Sequence, residues 1–234
     1  MSASKPHTTL FLIQSLDGKI TTGNNNERNI DKDLRVIPGV KEGLAQYYEL
    51  EKKLDRVYLN SGRVFEKVGF NDKVWEKDRS DNLSFVVVDS EPHLTIRGCE
   101  YLAQRCDQFF LITKNPNHPA ISLTKKFTNI IPIVYDRRID FTDAFKKLRS
   151  DYGIQRMTVQ TGGTLNAKFL RLGLIDEISI VIAPCLIGGE NTPSLIGGKS
   201  LHSLEDLKDL KALKLIKSET WESSYIHLQY EVIN

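Results

Sequence analysis

Long apolar runs are missing from this chain of 234 residues, and no stretch approaches the roughly 20 residues that a membrane-spanning helix requires. Cysteine is scarce. Cys99, Cys106 and Cys185 are too few, and odd in number, for a disulfide framework, so a reducing compartment, the cytosol, is expected. Net charge is nearly absent too. At +2 the chain has no global field for nucleic acid or an anionic membrane, although a local patch suffices for a small anionic ligand. The opening residues Met-Ser-Ala-Ser-Lys-Pro-His have no apolar core, so no signal peptide is expected.

Familiar catalytic signatures are missing as well. No G-x-G-x-x-G occurs, which excludes the usual dinucleotide fingerprint. Ile196-Gly197-Gly198-Lys199-Ser200 looks like the end of a phosphate-binding loop. Pro193 stands where its first glycine belongs, however, and no strand leads in, so ATP binding of that type is excluded. Pro184-Cys185 has no second cysteine three residues on and no His-x-Glu partner, which excludes a zinc deaminase. His7, His93, His118, His202 and His227 are scattered without ligand spacing, and no metal site is expected. No G-x-S-x-G elbow is present. These absences leave a site of backbone amides and polar strand ends, suited to a phosphorylated cofactor that carries the chemistry itself.

The most informative stretch present is Gln155–Gly189. Arg156–Gln160 reads as a strand, Gly162-Gly163 as a turn, and Leu165, Phe169 and Leu172 as one apolar stripe of a helix. Lys168 and Arg171 suit that helix's C-terminal end, Gly173 its left-handed cap, and Ile178–Ala183 a strand buried on both faces. A helix N-terminus thus follows a strand end with no Cβ at either glycine, a geometry that accepts phosphate or pyrophosphate. A turn that simply requires glycine is the plainer alternative.

Further strands are expected at Thr8–Ile13, Arg56–Asn60, Ser84–Val88, Phe109–Thr113 and Ile130–Tyr135. Helices are expected at Glu42–Leu54, from Ser61 to about Val68, and at Cys99–Cys106, Ala120–Lys126 and Phe141–Arg149. Leu213–Ser218 and Tyr225–Val232 close the chain as an antiparallel pair. This order predicts a single α/β domain over residues 1–234, with a mostly parallel central sheet and an antiparallel C-terminal edge hairpin. Thr21–Asp33 reads as an exposed loop, or a lid over a site. Ser15, Asp17 and Lys19 gather at the end of the first strand, where such sheets carry ligands. Arg63, in the first turn after Ser61-Gly62, is a candidate phosphate clamp.

Together these pieces resemble a known family. Ser15-Leu16-Asp17-Gly18-Lys19-Ile20, Gly162-Gly163-Thr164-Leu165, Gly173-Leu174-Ile175-Asp176-Glu177, Ala183-Pro184 and Gly188-Gly189 follow, in order, the pattern of the pyrimidine reductases of riboflavin biosynthesis. The resemblance runs from about residue 8 to about 232 and implies a three-layer dihydrofolate-reductase-like fold. It implies an NADPH-dependent homodimer that reduces the ribosyl group of a (di)aminopyrimidine ribotide phosphate to ribityl, and the stand-alone form without a fused deaminase. By the same resemblance Gly62, Arg63, Thr161, Gly162, Gly163, Thr164 and Leu165 face the cofactor, with Asp89 and Ser90 near its adenosine ribose. Ser15 and Gln160 bind substrate, while Asp17 and Lys19 meet the charge that hydride addition develops, as proton donor or hydrogen bond. Asp89 after a strand favours a free ribose 2′-OH, whereas Arg63 favours a 2′-phosphate. Two departures stand out: Thr161 replaces a common glutamate, and Phe65–Trp75 lacks the usual acidic-Pro segment. A folate, pterin or small-carbonyl reductase and a nucleotide-binding module without turnover are the alternatives.

Overall fold

The computed structural model describes residues 5–77 and 81–233. The first strand, β1 (His7–Ser15), leads to α1 (Ile30–Asp33) and α2 (Ala45–Glu51). Then follow β2 (Val57–Ser61), α3 (Gly62–Lys67), β3 (Ser84–Val88), α4 (Ile96–Arg105), β4 (Gln108–Thr113), α5 (Pro119–Ser122), β5 (Ile130–Val134), α6 (Phe141–Ser150) and β6 (Arg156–Val159). The chain closes with α7 (Gly163–Arg171), β7 (Glu177–Ala183), β8 (Ala212–Thr220) and β9 (Ile226–Ile233). Among the described residues nine strands, paired mostly in parallel with an antiparallel C-terminal edge, make the α/β class expected from the sequence.

Two compact units divide the chain. The first is Asp55–Thr161 with the opening residues through Pro6; the second is His7–Leu54 with Gly162–Asn234. In the first unit β2, β3, β4 and β5 run side by side in parallel, and β6 pairs with β2. Phe85–Val88 and Phe109–Ile112 are buried along their whole length, as in parallel strands covered on both faces. Each such side chain contributes roughly 1.5–3 kcal/mol. Tyr58, Phe65, Phe70, Leu102 and Phe109 centre that core.

In the second unit β1 pairs in parallel with β7, and β9 lies antiparallel between β7 and β8. Its separate core gathers Phe11, Ile13, Leu34, Tyr47, Val181 and Tyr225. Phe11 and Tyr47 stack with ring centroids 4.9 Å apart.

Local chemistry explains the boundaries that matter for the site. Ser61 caps α3 by accepting a hydrogen bond from the Val64 N–H, and Gly69, at φ +78°, ends that turn. Gly173, at φ +66°, is the left-handed residue after α7. The expected stripe on α7 is corrected: Leu172 follows the last helical residue and is exposed, while Gly163, Asn166, Ala167 and Phe169 form the buried face. The helix expected at Glu42–Leu54 narrows to α2, because Gly43 lies against the Tyr225 ring and belongs to the preceding turns. The helix expected at Cys99–Cys106 is α4, which begins earlier, at Ile96, and ends at Arg105, leaving Cys106 just beyond it. Thr21–Asp33 is less loop-like than expected. Thr21 and Ile30 are buried, and α1 forms inside the segment, capped by Asn29.

Candidate active site

The second unit joins three of the sequence motifs. At the end of β1 the Ser15 N–H donates to Lys19 O and the Gly18 N–H to Ser15 O, both at 2.9 Å, with Gly18 at φ +77°. The strap 187–198 lies over this turn. Asp17 accepts from the Ile187 N–H (3.1 Å) and the Gly188 N–H (2.7 Å). Lys19 Nζ donates to the carbonyls of Gly189 (2.9 Å) and Thr192 (3.0 Å), which leaves one ammonium N–H of three. The Ile20 N–H reaches Pro193 O and the Leu195 N–H reaches Gly18 O, each at 3.0 Å. On its other side the strap meets α7. The Gly197 N–H donates to Gly163 O (3.0 Å) and Asn166 Nδ2 to Leu195 O (2.9 Å).

Three of the expected site residues take these places within this frame. Asp17 cannot be a proton donor at neutral pH. The Ser15 hydroxyl at 2.5 Å, working against desolvation and joined by the Gly188 and Ile187 N–H groups, holds its carboxyl at about 2. Ser15 itself is 0% exposed and braces the turn, accepting from the Lys19 N–H. Gly163 is not an open approach for pyrophosphate, because a Cβ there would strike the Ser194 carbonyl oxygen. Gly162 is different. It has extended backbone, and a Cβ there would meet nothing within 4 Å. It opens α7 without a side-chain cap, so the open helix start survives one residue earlier than the close-packed glycine.

In the first unit the structure brings Gly62 and Asp89 together: a Cβ on Gly62 would collide with the Asp89 carboxylate. Asp89 is 2% exposed. It accepts from the backbone N–H groups of His93 and Leu94 (3.1 Å), from His93 Nδ1 (3.0 Å) and from His118 Nε2 (3.0 Å). Burial pushes this carboxyl up. His118, Leu94 and the side chain and backbone of His93 together outweigh it and hold it below the usual range. A ribose hydroxyl bonding Asp89 directly would have to displace these internal donors. The Ser90 hydroxyl accepts from the Lys114 N–H (3.3 Å). Arg63 is exposed in the first turn of α3, Gln160 is half-buried just past β6, and Thr161 is buried. Thr164 is exposed and Leu165 half-buried on α7 of the second unit.

Sequence reading missed three residues. Gln14 Oε1 in the second unit, and Asn60 Oδ1 and Thr158 Oγ1 in the first, are buried without a protein hydrogen-bond partner, a cost that a bound ligand or water removes. Their signal was a polar side chain inside an apolar strand. His93 and His118, dismissed as scattered, meet on one carboxylate.

The sequence matches the model of the RibD C-terminal domain over residues 6–226. The chain belongs to this family. It is 30% identical over 244 aligned positions to the 2,5-diamino-6-ribosylamino-4(3H)-pyrimidinone 5′-phosphate reductase of Aquifex aeolicus, covering 98% of each chain. It is 25% identical to the reductase of the same name from Methanothermobacter thermautotrophicus, over 86% of this chain and 88% of that one. Among solved structures, RibD of Acinetobacter baumannii matches with a TM-score of 0.68 and 16% identity; the present chain is fully covered and spans 60% of that longer one. The riboflavin biosynthesis reductase of Saccharomyces cerevisiae matches with a TM-score of 0.61 and 12% identity, covering 100% of this chain and 92% of that one. These likenesses show the dihydrofolate-reductase-like fold. Membership of a reductase family implies a nicotinamide cofactor, and residues of the second unit fit one: Gly162 leaves space at an uncapped helix start, and Gln14 presents an unpartnered buried oxygen. No group of three or more potential metal ligands occurs among the described residues.

Proposed function

We propose that this chain is the NADPH-dependent reductase that converts the ribosyl side chain of 2,5-diamino-6-ribosylamino-4(3H)-pyrimidinone 5′-phosphate to ribityl. The observation that carries this reading is the second unit's assembly of the β1 turn, the strap 187–198 and the open start of α7 into one frame. It is supported by near-full-length kinship to reductases of that name.

When bound, the reduced nicotinamide supplies the hydride. Everything else falls to the chain. The first N–H groups of α7, approached across Gly162, hold phosphate, with Thr164 beside them. Gln14 offers its unpartnered amide oxygen to the substrate in place of the buried Ser15. Two backbone carbonyls aim the Lys19 ammonium, and its remaining N–H meets charge developing on the substrate oxygen or nitrogen. Asp17 stays ionised and fixes the strap, which keeps Gly189 and Thr192 in place to orient Lys19. Arg63 takes a phosphate in the first unit.

The whole chain acts as one reductase domain in the cytosol, and no helix among the described residues is long and apolar enough to cross a membrane. It works as a homodimer. The exposed leucines and isoleucine of edge strand β8, Leu213, Leu215 and Ile216, offer the second copy an apolar strip.

Turnover with NADPH decides the reading. Oxidation is expected with the pyrimidinone ribotide and not with dihydrofolate; consumption of dihydrofolate alone would assign the chain to folate reduction. Lys19→Ala should lower kcat/KM by about 100-fold, in line with loss of a charge-stabilising donor.

A further inference from the structure

A buried amide is an expensive side chain for a helix. Asparagine favours caps and turns over helix interiors, because it competes with the backbone for hydrogen bonds. Burying its amide also costs free energy unless the amide is bonded. Asn166 nevertheless lies one turn into α7 and is 0% exposed. Its backbone N–H closes the first turn of the helix on Gly162 O at 3.1 Å. Its side-chain Nδ2 leaves the helix and donates to Leu195 O in the strap at 2.9 Å. Ala167 and Phe169 serve the same buried face with apolar side chains, so packing alone gives no reason for an amide.

The bond falls where the strap has partners on two sides. Leu195 gives its N–H to Gly18 O and its carbonyl to Asn166, so one residue joins the β1 turn to α7. Around it the Ile20 N–H reaches Pro193 O, Lys19 pairs with Ser194 in an antiparallel bridge, and the Gly197 N–H reaches Gly163 O. Lys19 is thus carried between two residues fastened to the strap, and its ammonium rests on the Gly189 and Thr192 carbonyls of that same strap. Left-handed glycines stand at both ends, Gly188 and Gly189 at φ +71° and +82° and Gly198 at φ +84°. No residue of 187–198 is buried, so hydrogen bonds rather than a core hold the strap in place.

We propose that Asn166 is a positioning residue for the reduction. By holding the Leu195 carbonyl it fixes the strap against the first turn of α7, and so sets where the Lys19 ammonium stands relative to the α7 amides. The role rests on the assignment of Lys19 to the developing charge and of the α7 start to phosphate. Loss of the bond removes no reacting group but frees the distance between two of them, and the rate depends steeply on that distance.

The test is a double-variant cycle in the full chain, read by turnover of NADPH with the pyrimidinone ribotide and by amide hydrogen exchange. Asn166→Leu nearly keeps the volume and removes the donor. Its Leu195, Ile20 and Gly197 amides should exchange about 5- to 10-fold faster, the worth of one hydrogen bond, while those inside β7 keep wild-type rates. Its kcat should fall about tenfold, with KM for both substrates within about twofold of wild type. Asn166→Gln, which keeps an amide donor, should recover part of the loss. In a Lys19→Ala background Asn166→Leu should cost nothing further, because it acts through the lysine. Gly163→Ala, which pushes the Ser194 carbonyl off the helix and leaves the buried amide untouched, should lower kcat and lose that effect in the same background. Losses that add to that of Lys19→Ala overturn the proposal and leave the reductase reading standing. Unchanged exchange at Leu195 and Gly197 in Asn166→Leu overturns it too, and is readable without turnover. If wild type fails to oxidise NADPH, or Lys19→Ala turns over as wild type does, the assignment of Lys19 falls and the role of Asn166 falls with it.

Discussion

Asp17 in one unit and Asp89 in the other occupy the same kind of position, just past a parallel strand, and both invite assignment to a ligand. The fold treats them differently. Asp89 is 2% exposed and carries two imidazoles and two backbone N–H groups. Asp17 is exposed and clamps a strap 170 residues away in the chain through Ile187 and Gly188. Each carboxylate is consumed by the protein, and the group left facing outward is the cation or imidazole beside it: Lys19 in one unit, His93 in the other. At a strand end the residue with the most hydrogen-bonding capacity is also the one most useful for fastening loops.

Breaking each carboxylate should separate the two roles most clearly. Asp89→Asn replaces one of two acceptor oxygens with an NH2 donor, leaving N–H groups that an amide cannot all satisfy; a loss of about 3 kcal/mol or more is expected in urea unfolding. Asp17→Asn should cost less than about 1 kcal/mol, because water screens an exposed carboxylate, while turnover falls as the strap loosens. Equal stability losses would erase the distinction.

The two glycines at α7 give a smaller contrast. Gly163→Ala must displace the Ser194 backbone and should destabilise by about 1–3 kcal/mol, whereas Gly162→Ala meets open space and should stay within about 0.5 kcal/mol. Matched melting temperatures for the pair would contradict the packing of the strap on α7.

The smallest effect concerns pH and sharpens the comparison by removing the carboxylates from it. Both are held below the usual carboxyl range, so stability they contribute is present above about pH 4 and lost only below it. His227 acts higher. Burial lowers its pKa against the opposing pull of Glu219, with Lys217 adding to the lowering, and Ser179 bonds its Nε2 at 2.8 Å. The unfolded chain then binds a proton more readily than the folded one, so stability should fall as pH drops below about 6.5, by at most about 1.4 kcal/mol per unit. Thermal melts between pH 7.5 and 5.5 should show this slope in wild type and a flatter one in His227→Gln; a flat wild-type profile contradicts it.

Much of this was legible in the sequence. Continuous apolar runs marked β3 and β4, and apolar periodicity marked α6 and the C-terminal hairpin, within a residue or two; Gly69 and Gly173 marked helix ends because their φ angles are positive. Ser15–Lys19, Gly162–Leu165 and Gly188-Gly189 stood out as motifs, and the second unit joins them. Their allocation was not legible. Whether Gly162 or Gly163 stays open depends on where Ser194 lies, and Asp89 is closed by His118, 29 residues on. Such long-range closures leave no local periodicity. Leu172 completed an apolar stripe on paper, yet the helix ends one residue before it.

The most direct test is calorimetric titration of NADPH into wild type and Gly162→Val, with melting curves alongside. Extended backbone at Gly162 accepts valine without strain, so the fold should be unaffected while the side chain fills the approach to the α7 amides. Binding by wild type, at least about tenfold weaker in Gly162→Val at an unchanged melting temperature, is the expected result. Equal affinity in the two proteins would mean that the start of α7 does not hold the cofactor phosphate.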